Sequence, residues 1–325
     1  MSLTGTRDYY KPFDHPLMFD YYVQQNQMHW FPEDVPLHND VKDWQDLEEH
    51  EKNLLTQIFR LFTQSDVDVS SGYVDRYMRI FKKPEARMMM GAFNNMESIH
   101  QHAYSLLLDT VGMPEIEYKA FSEYTSMADK HEYVNNIKVS YKDRKSIAKA
   151  LAVYSGFTEG LQLFSSFIIL LNFPRFGRMK GMGQIITYSI RDESLHVEAM
   201  TKLFREYIQE NIDLWTDDFK KEIYQACRDM VDLEDRFLNL VFQMGDIEGL
   251  TQREMQQYIR YIADRRLLQL GLKPNYKVKD NPLEWLDTVL GVEHQNFFEG
   301  RSTSYMKAGL RGNMDKVNFM EVIAE

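Results

Sequence analysis

Two Glu-x-x-His runs, 96 residues apart, constrain this chain more than any other feature. In MESIHQHAY they supply Glu97 and His100, and in SIRDESLHVEAM they supply Glu193 and His196. Residues three and four apart share one face of an α-helix. Phe93, Glu97, His100, Tyr104 and Leu107 therefore form one stripe, and Ile186, Ser189, Glu193, His196, Val197 and Met200 form another. A carboxylate on an apolar stripe is buried when the helix packs, and a buried charge needs a counter-charge. One such motif alone reads as a core Glu–His hydrogen bond. The second motif changes that reading.

Each motif also has an acid about one helix upstream. In LFTQSDVDVSSGY it is Asp66, on a stripe with Phe62, Val69 and Tyr73, while Asp68 points with Gln64, Ser71 and Asp75 toward water. In VYSGFTEGLQLFSS it is Glu159, on a stripe with Ser155, Gly156, Leu163 and Ser166. The unit is a carboxylate helix followed by a Glu-x-x-His helix, used twice. Four carboxylates and two imidazoles projecting into a bundle are the ligand set of a dinuclear carboxylate-bridged metal site, because four negative charges in a core require cations to compensate them. Hard oxygen donors with two imidazoles favour iron or manganese over copper. Zinc would bind but has no redox chemistry.

The rest of the chain predicts an all-α, ferritin-like helical bundle with extra helices. Apolar residues recur at spacings of three and four, and alternating strand patterns are scarce. Long helices are expected over roughly 47–80, 85–110, 146–172, 182–210, 218–244 and 251–270, with Pro84, Pro174, Pro274, Gly245, Gly249 and Gly271 at the breaks. Residues 1–45, rich in proline and aromatics, read as an N-terminal arm packed on the bundle, residues 46–290 as the dimetal helical domain, and residues 291–325 as a flexible tail.

Composition narrows the function. The net charge is 38 − 49 = −11, which argues against nucleic acid or an anionic membrane as the main partner. Cys227 is the single cysteine, so an internal disulfide, a dithiol redox pair and a thiolate-rich metal site are excluded, and a reducing cytoplasm suits the chain. The N-terminus has no signal-peptide pattern, and the greasiest run, FSSFIILLNF, is too short to span a bilayer.

The order Asp66, Glu97-x-x-His100, Tyr104, Glu159, Asp192-Glu193-x-x-His196, with Trp30 in HWFPED and Tyr305 in TSYMKAG, resembles the small, radical-generating (β) subunit of class I ribonucleotide reductase over nearly the whole chain. The resemblance implies that Asp66, Glu97, His100, Glu159, Glu193 and His196 bind two metal ions, Fe/Fe first, with Mn/Mn or Mn/Fe as alternatives. It implies oxygen activation that yields a stable oxidant, held as a radical on Tyr104 or on a high-valent metal pair. It further implies that His100, Asp192 and Trp30 conduct the oxidising equivalent outward and that Tyr305 hands it to the large (α) subunit, where ribonucleoside diphosphates are reduced. The extreme tail, including NFMEVIAE, would dock on that subunit. A homodimer is expected, and a flavoprotein could supply superoxide as the activating oxidant.

The residues alone support these roles unequally. Tyr104 lies one turn from His100, about 5–6 Å away between Cβ atoms, yet a tyrosine buried only for packing fits the same position. Asp192, four residues before His196, suits a carboxylate that orients an imidazole, or a simple surface acid. Trp30 also reads as a packing anchor of the arm, and nothing in its spacing marks Tyr305. His102 faces another side of its helix from His100. Two other classes compete with the reductase: a ferritin-like storage or ferroxidase protein, and an oxygenase acting on an organic substrate. Both account less well for the two long helices beyond a four-helix bundle, for the tail, or for aspartate at position 66.

Overall fold

The computed structural model describes residues 2–289. Its helices are α1 (Pro16–Gln27), α2 (His38–Asp46), α3 (Glu49–Gly72), α4 (Met78–Ile80), α5 (Pro84–Val111), α6 (Glu117–Ala120), α7 (Thr125–Asn135), α8 (Arg144–Val153), α9 (Leu163–Arg175), α10 (Lys180–Glu210), α11 (Asp217–Val241) and α12 (Gln252–Gln269). Among the described residues there is no strand, only an isolated antiparallel bridge between Ile247 and Leu250. Residues up to Pro282 form one unit, and the chain from Leu283 onward is a separate one, described as far as residue 289. Tyr305 and the docking tail expected over 291–325 lie outside the described residues.

Local chemistry sets the helix ends. Glu48 and Glu51 form a capping box at the start of α3, and Thr251 and Glu254 form one at α12, each satisfying backbone N–H groups that have no partner within the helix. Pro84 opens α5, where its missing N–H and fixed φ cost nothing. Pro174, expected at a break, lies inside the last turn of α9, where the chain is about to leave the helix in any case.

Two stretches widen from α to π geometry. Tyr73–Tyr77 and Tyr154–Gln162 are π-helical, a form that is rare, mostly single-turn and frequent at functional sites. The second joins α8 to α9, so Arg144–Arg175 is one helix of 32 residues. It is long and apolar enough to cross a membrane, contrary to what the ten-residue apolar run suggests by itself, but its most apolar window is entirely buried within the fold. It is a core helix, and its all-round apolarity follows from that burial.

The N-terminal segment contains two helices with specific jobs. The α1 helix packs on α5 and α10, and α2 packs on α10. Asp40 of α2 is fully buried and accepts the backbone N–H of Gly181 (2.9 Å) and of Met182 (2.6 Å) at the start of α10, while Asp43 accepts that of Met179 at 2.7 Å. Burial raises the Asp40 carboxyl above its ordinary range, against the effect of those two backbone donors. A Cβ at Gly181 would lie 2.7 Å from Leu37 Cδ2 and 2.9 Å from the Pro36 carbonyl, so glycine there is what lets α2 approach closely enough to cap α10. The helix carrying Glu193 and His196 is thus anchored from the arm.

Candidate metal centre

Four helical segments pack so that their polar residues meet in the core: α3 brings Asp66, α5 brings Glu97 and His100, the second π segment brings Glu159, and α10 brings Glu193 and His196. All six are buried, none more than 2% exposed. Asp66, Glu97 and His100 offer ligand atoms within 4.8 Å of one another, and so do Glu97, Glu193 and His196. Glu97 belongs to both groups. Glu159 belongs to neither; it stands beside the second, where the charges of Glu193 and Glu97 act on its carboxyl group.

The imidazoles face the carboxylates through the same ring atom. His100 Nδ1 lies 3.3 Å from Glu193 Oε1, 3.8 Å from Glu97 Oε2 and 4.0 Å from Asp66 Oδ2. His196 Nδ1 lies 3.0 Å from Glu97 Oε1 and 3.6 Å from Glu193 Oε2. These separations are short but not aligned as hydrogen bonds. Both side-chain oxygens of Asp66, Glu97 and Glu193, Oε2 of Glu159, and Nδ1 of both histidines are buried without a hydrogen-bond partner. Buried polar atoms are nearly always satisfied, so such a concentration calls for an unseen partner. Four carboxylates and two imidazole nitrogens aimed at one another fit two hard, divalent cations.

The far sides of the two imidazoles are fixed. His100 Nε2 is 3.2 Å from Asp192 Oδ2, and His196 Nε2 is 3.1 Å from Gln25 Oε1. Gln25 in turn donates from Nε2 to Asp192 Oδ1 at 3.2 Å, and Trp30 donates from Nε1 to Asp192 Oδ2 at 2.8 Å. Because Asp192 and the Gln25 carbonyl can only accept here, the neutral imidazoles carry their proton on Nε2, and a cation that displaces the second proton meets the Nδ1 lone pairs. Asp192 is therefore a buried partner of His100, the histidine of the other motif, and not of His196 four residues along its own helix. Arg191 adds a donor to Asp192 Oδ1 at 3.2 Å and binds the Met28 carbonyl at 2.6 Å.

Proton affinities follow from the same crowding. Burial raises Asp66 and Glu159 well above the usual carboxylate range, reinforced by the neighbouring acids. Burial would lower both histidines, but their carboxylate neighbours outweigh it: His100 is well above its ordinary value and His196 rises to about 10. Asp192, despite its burial, is held below the usual range by the His100 hydrogen bond, Arg191 and Trp30. Protons on these groups offset negative charge that a cation would otherwise balance.

Tyr104 is buried, donates from Oη to Ser189 Oγ at 2.8 Å, and places its ring 6.2 Å from that of His100 and 4.5 Å from Phe62. Burial and the charge of Asp66 raise its phenol well above the ordinary value. The Trp30 ring lies 6.1 Å from His100. His102 is exposed and faces Glu33, away from the cluster. Asp68 is half-buried and pairs with His131 at 2.6 Å rather than facing open water. Two features escaped the sequence pattern. Gln25 sits on a weakly patterned arm helix, and the π segments have no periodicity that the 3.6-residue template detects; the only hint is a pair of glycines, Gly156 and Gly160, within an apolar helix.

The chain is similar to known proteins over most of its length. The family profile described as "Ribonucleotide reductase, small chain" matches residues 7–282. The chain is 40% identical to the "Probable ribonucleoside-diphosphate reductase small subunit 376L" of Invertebrate iridescent virus 6, over 98% of this chain and 99% of that one. It is 28% identical to the ribonucleoside-diphosphate reductase subunit beta of Chlamydia pneumoniae, over 92% and 90% of the two chains. Among solved structures it resembles the ribonucleotide reductase R2 subunit from Clostridium botulinum (TM-score 0.78, 24% identity, 85% of this chain and 88% of that one). It also resembles the dimanganese(II) NrdF of Streptococcus sanguinis (TM-score 0.74, 20% identity, 88% and 99% covered).

Proposed function

The chain belongs to the ribonucleotide reductase small-chain family, and from that premise we propose how its buried cluster serves the oxidoreductase. Asp66, Glu97, His100, Glu159, Glu193 and His196 would hold two metal ions. The observation that carries this is the set of buried, unpartnered oxygen and Nδ1 atoms on all six residues. Iron or manganese, when bound, would supply the activation of dioxygen, or of superoxide delivered by a flavoprotein. The dimanganese neighbour and the donor set leave Fe/Fe, Mn/Mn and Mn/Fe all compatible with the site.

The chain's own residues then divide the work. Asp192 and Gln25 hold the two imidazoles in one tautomer and orientation, so the site is organised before a cation arrives. The apolar packing around Phe62, Phe93 and Phe167 excludes water. Tyr104, whose phenol stays protonated at neutral pH, gives up an electron only together with its proton, and the Ser189 hydroxyl is the group its Oη faces. From His100 the contacts run through Asp192 to Trp30, each at hydrogen-bond distance. We read these as the outward route of the oxidising equivalent. Tyr305 and the terminal segment, outside the described residues, would pass it to the large subunit and tether that subunit. A homodimer in the cytoplasm completes the reading.

The test is metal loading of the full-length chain, followed by exposure to oxygen and electron paramagnetic resonance. Two metals per chain and a sharp organic-radical signal that disappears in Tyr104→Phe are expected. A chain that binds two metals and stores or oxidises iron without supporting ribonucleotide reduction by a large subunit would refute the assignment.

A further inference from the structure

The segment that carries Glu159 is held from outside the four-helix core. Tyr154–Gln162 runs nine residues in π geometry, long for a form that mostly occurs as single turns. Each residue by which such a stretch tightens toward α geometry swings the next part of the chain by about 100° around the axis, so the register of this segment decides where the Glu159 carboxylate points. Helix α12 packs directly on it.

The contact is made by Arg266. Its side chain is buried, only 8% exposed, and Nε donates to the Gly160 carbonyl at 2.6 Å, next along the chain from Glu159. The guanidinium stacks 4.7 Å from the Phe164 ring centroid and binds Gln269 Oε1 at 2.9 Å. Among the described residues no carboxylate pairs with it, and burial lowers it to about 10. A buried guanidinium satisfied by a main-chain carbonyl is expensive to maintain, which argues that the carbonyl's position matters. Gly160 fits the same account: a Cβ there would lie 2.7 Å from Arg266 Nε and 2.9 Å from the Ser155 carbonyl. Only glycine admits both the π turn and the arginine.

We propose that Arg266 is a positioning residue for the metal cluster, fixing the π register of Tyr154–Gln162 through the Gly160 carbonyl and thereby the place of the Glu159 carboxylate. This rests on the reading of Glu159 as a ligand. It also gives α12, which contributes no residue to the cluster, a role in the site. Asp66 and His100 stand on α3 and α5, which carry neither residue of this contact.

The experiment is Mn(II) titration of the full chain, read by calorimetry and by the coupled-pair signal in low-temperature paramagnetic resonance, for the wild type, Arg266→Met, Arg266→Lys and Glu159→Gln. Positioning contacts around metal ligands are worth about 10–100-fold in affinity. Arg266→Met, which keeps the volume and loses the donor, should bind its first Mn(II) as the wild type does and its second about tenfold or more weakly, with loss of the coupled signal. If that variant does not fold, Arg266→Lys, which keeps the charge and stem but not the Nε donor, should show the same split. Wild-type binding of both ions by a folded Arg266 variant, alongside weakened binding by Glu159→Gln, overturns the role of Arg266. Wild-type binding by Glu159→Gln instead overturns the ligand reading itself.

Discussion

Gln25 Oε1 lies 3.1 Å from His196 Nε2, while the same amide donates to Asp192, which faces His100 Nε2. One glutamine from the N-terminal arm thus joins the outer faces of the two histidines. Gln25→Leu removes both contacts and leaves His196 Nε2 without an acceptor. Metal affinity should fall about 10–100-fold, measurable by competition with a chelator, and unchanged affinity would mean the arm does not organise the site.

Trp30→Phe keeps a ring on the Asp192 side but removes the Nε1–H donor that Asp192 Oδ2 accepts at 2.8 Å. Metal content and the radical signal should remain, because no cluster residue is touched. Turnover with a large subunit should fall to near background. A variant that retains full turnover would remove Trp30 from the route.

The pH dependence of the metal-free protein follows from the raised histidine. His196 is raised to about 10 in the fold against roughly 6.5 in an unfolded chain. A raised basic group contributes stability that is fully present below its unfolded value and lost as pH rises through its folded one. The raised Asp66 and Glu159 act in the same direction. The metal-stripped protein should therefore lose stability between about pH 6.5 and 10, and metal binding should release protons. Melting curves across that range, with and without Mn(II), check both: a midpoint of the stripped protein that is flat or rising would contradict the assignment.

Asp40→Ala tests whether the arm anchors α10. Losing the acceptor for two buried backbone N–H groups should cost about 1–3 kcal/mol and lower the Tm. Asp40→Asn, which retains one acceptor oxygen, should cost less. Equal stability of all three proteins would show that the N-terminus of α10 is satisfied otherwise.

The sequence conveyed the site better than it conveyed the scaffold around it. Glu97/His100 and Glu193/His196 were legible because the i, i+3 spacing places each pair on one apolar face, and Asp66 because its neighbours share a stripe that Asp68 does not. Helices α5, α10, α11 and α12 fall within a few residues of expectation for the same reason, as does α3 together with the π segment and α4 that continue it to Ile80. What spacing could not show was contact between distant elements. Asp192 serves the histidine of the other motif, Gln25 comes from a helix of weak amphipathicity, and Arg266 meets Gly160 across 106 positions. The π segments were invisible because a template of 3.6 residues per turn has no place for them. Tyr305 rests on the family resemblance alone.

The central claim is that six buried residues of this chain bind a pair of metal ions, and anomalous diffraction tests it most directly. Crystals of the full chain loaded with Mn(II) or Fe(II), measured at the metal edge, should show two peaks about 3.5–4 Å apart, enclosed by Asp66, Glu97, His100, Glu159, Glu193 and His196. A single peak, or peaks elsewhere with these six side chains uncoordinated, would contradict it.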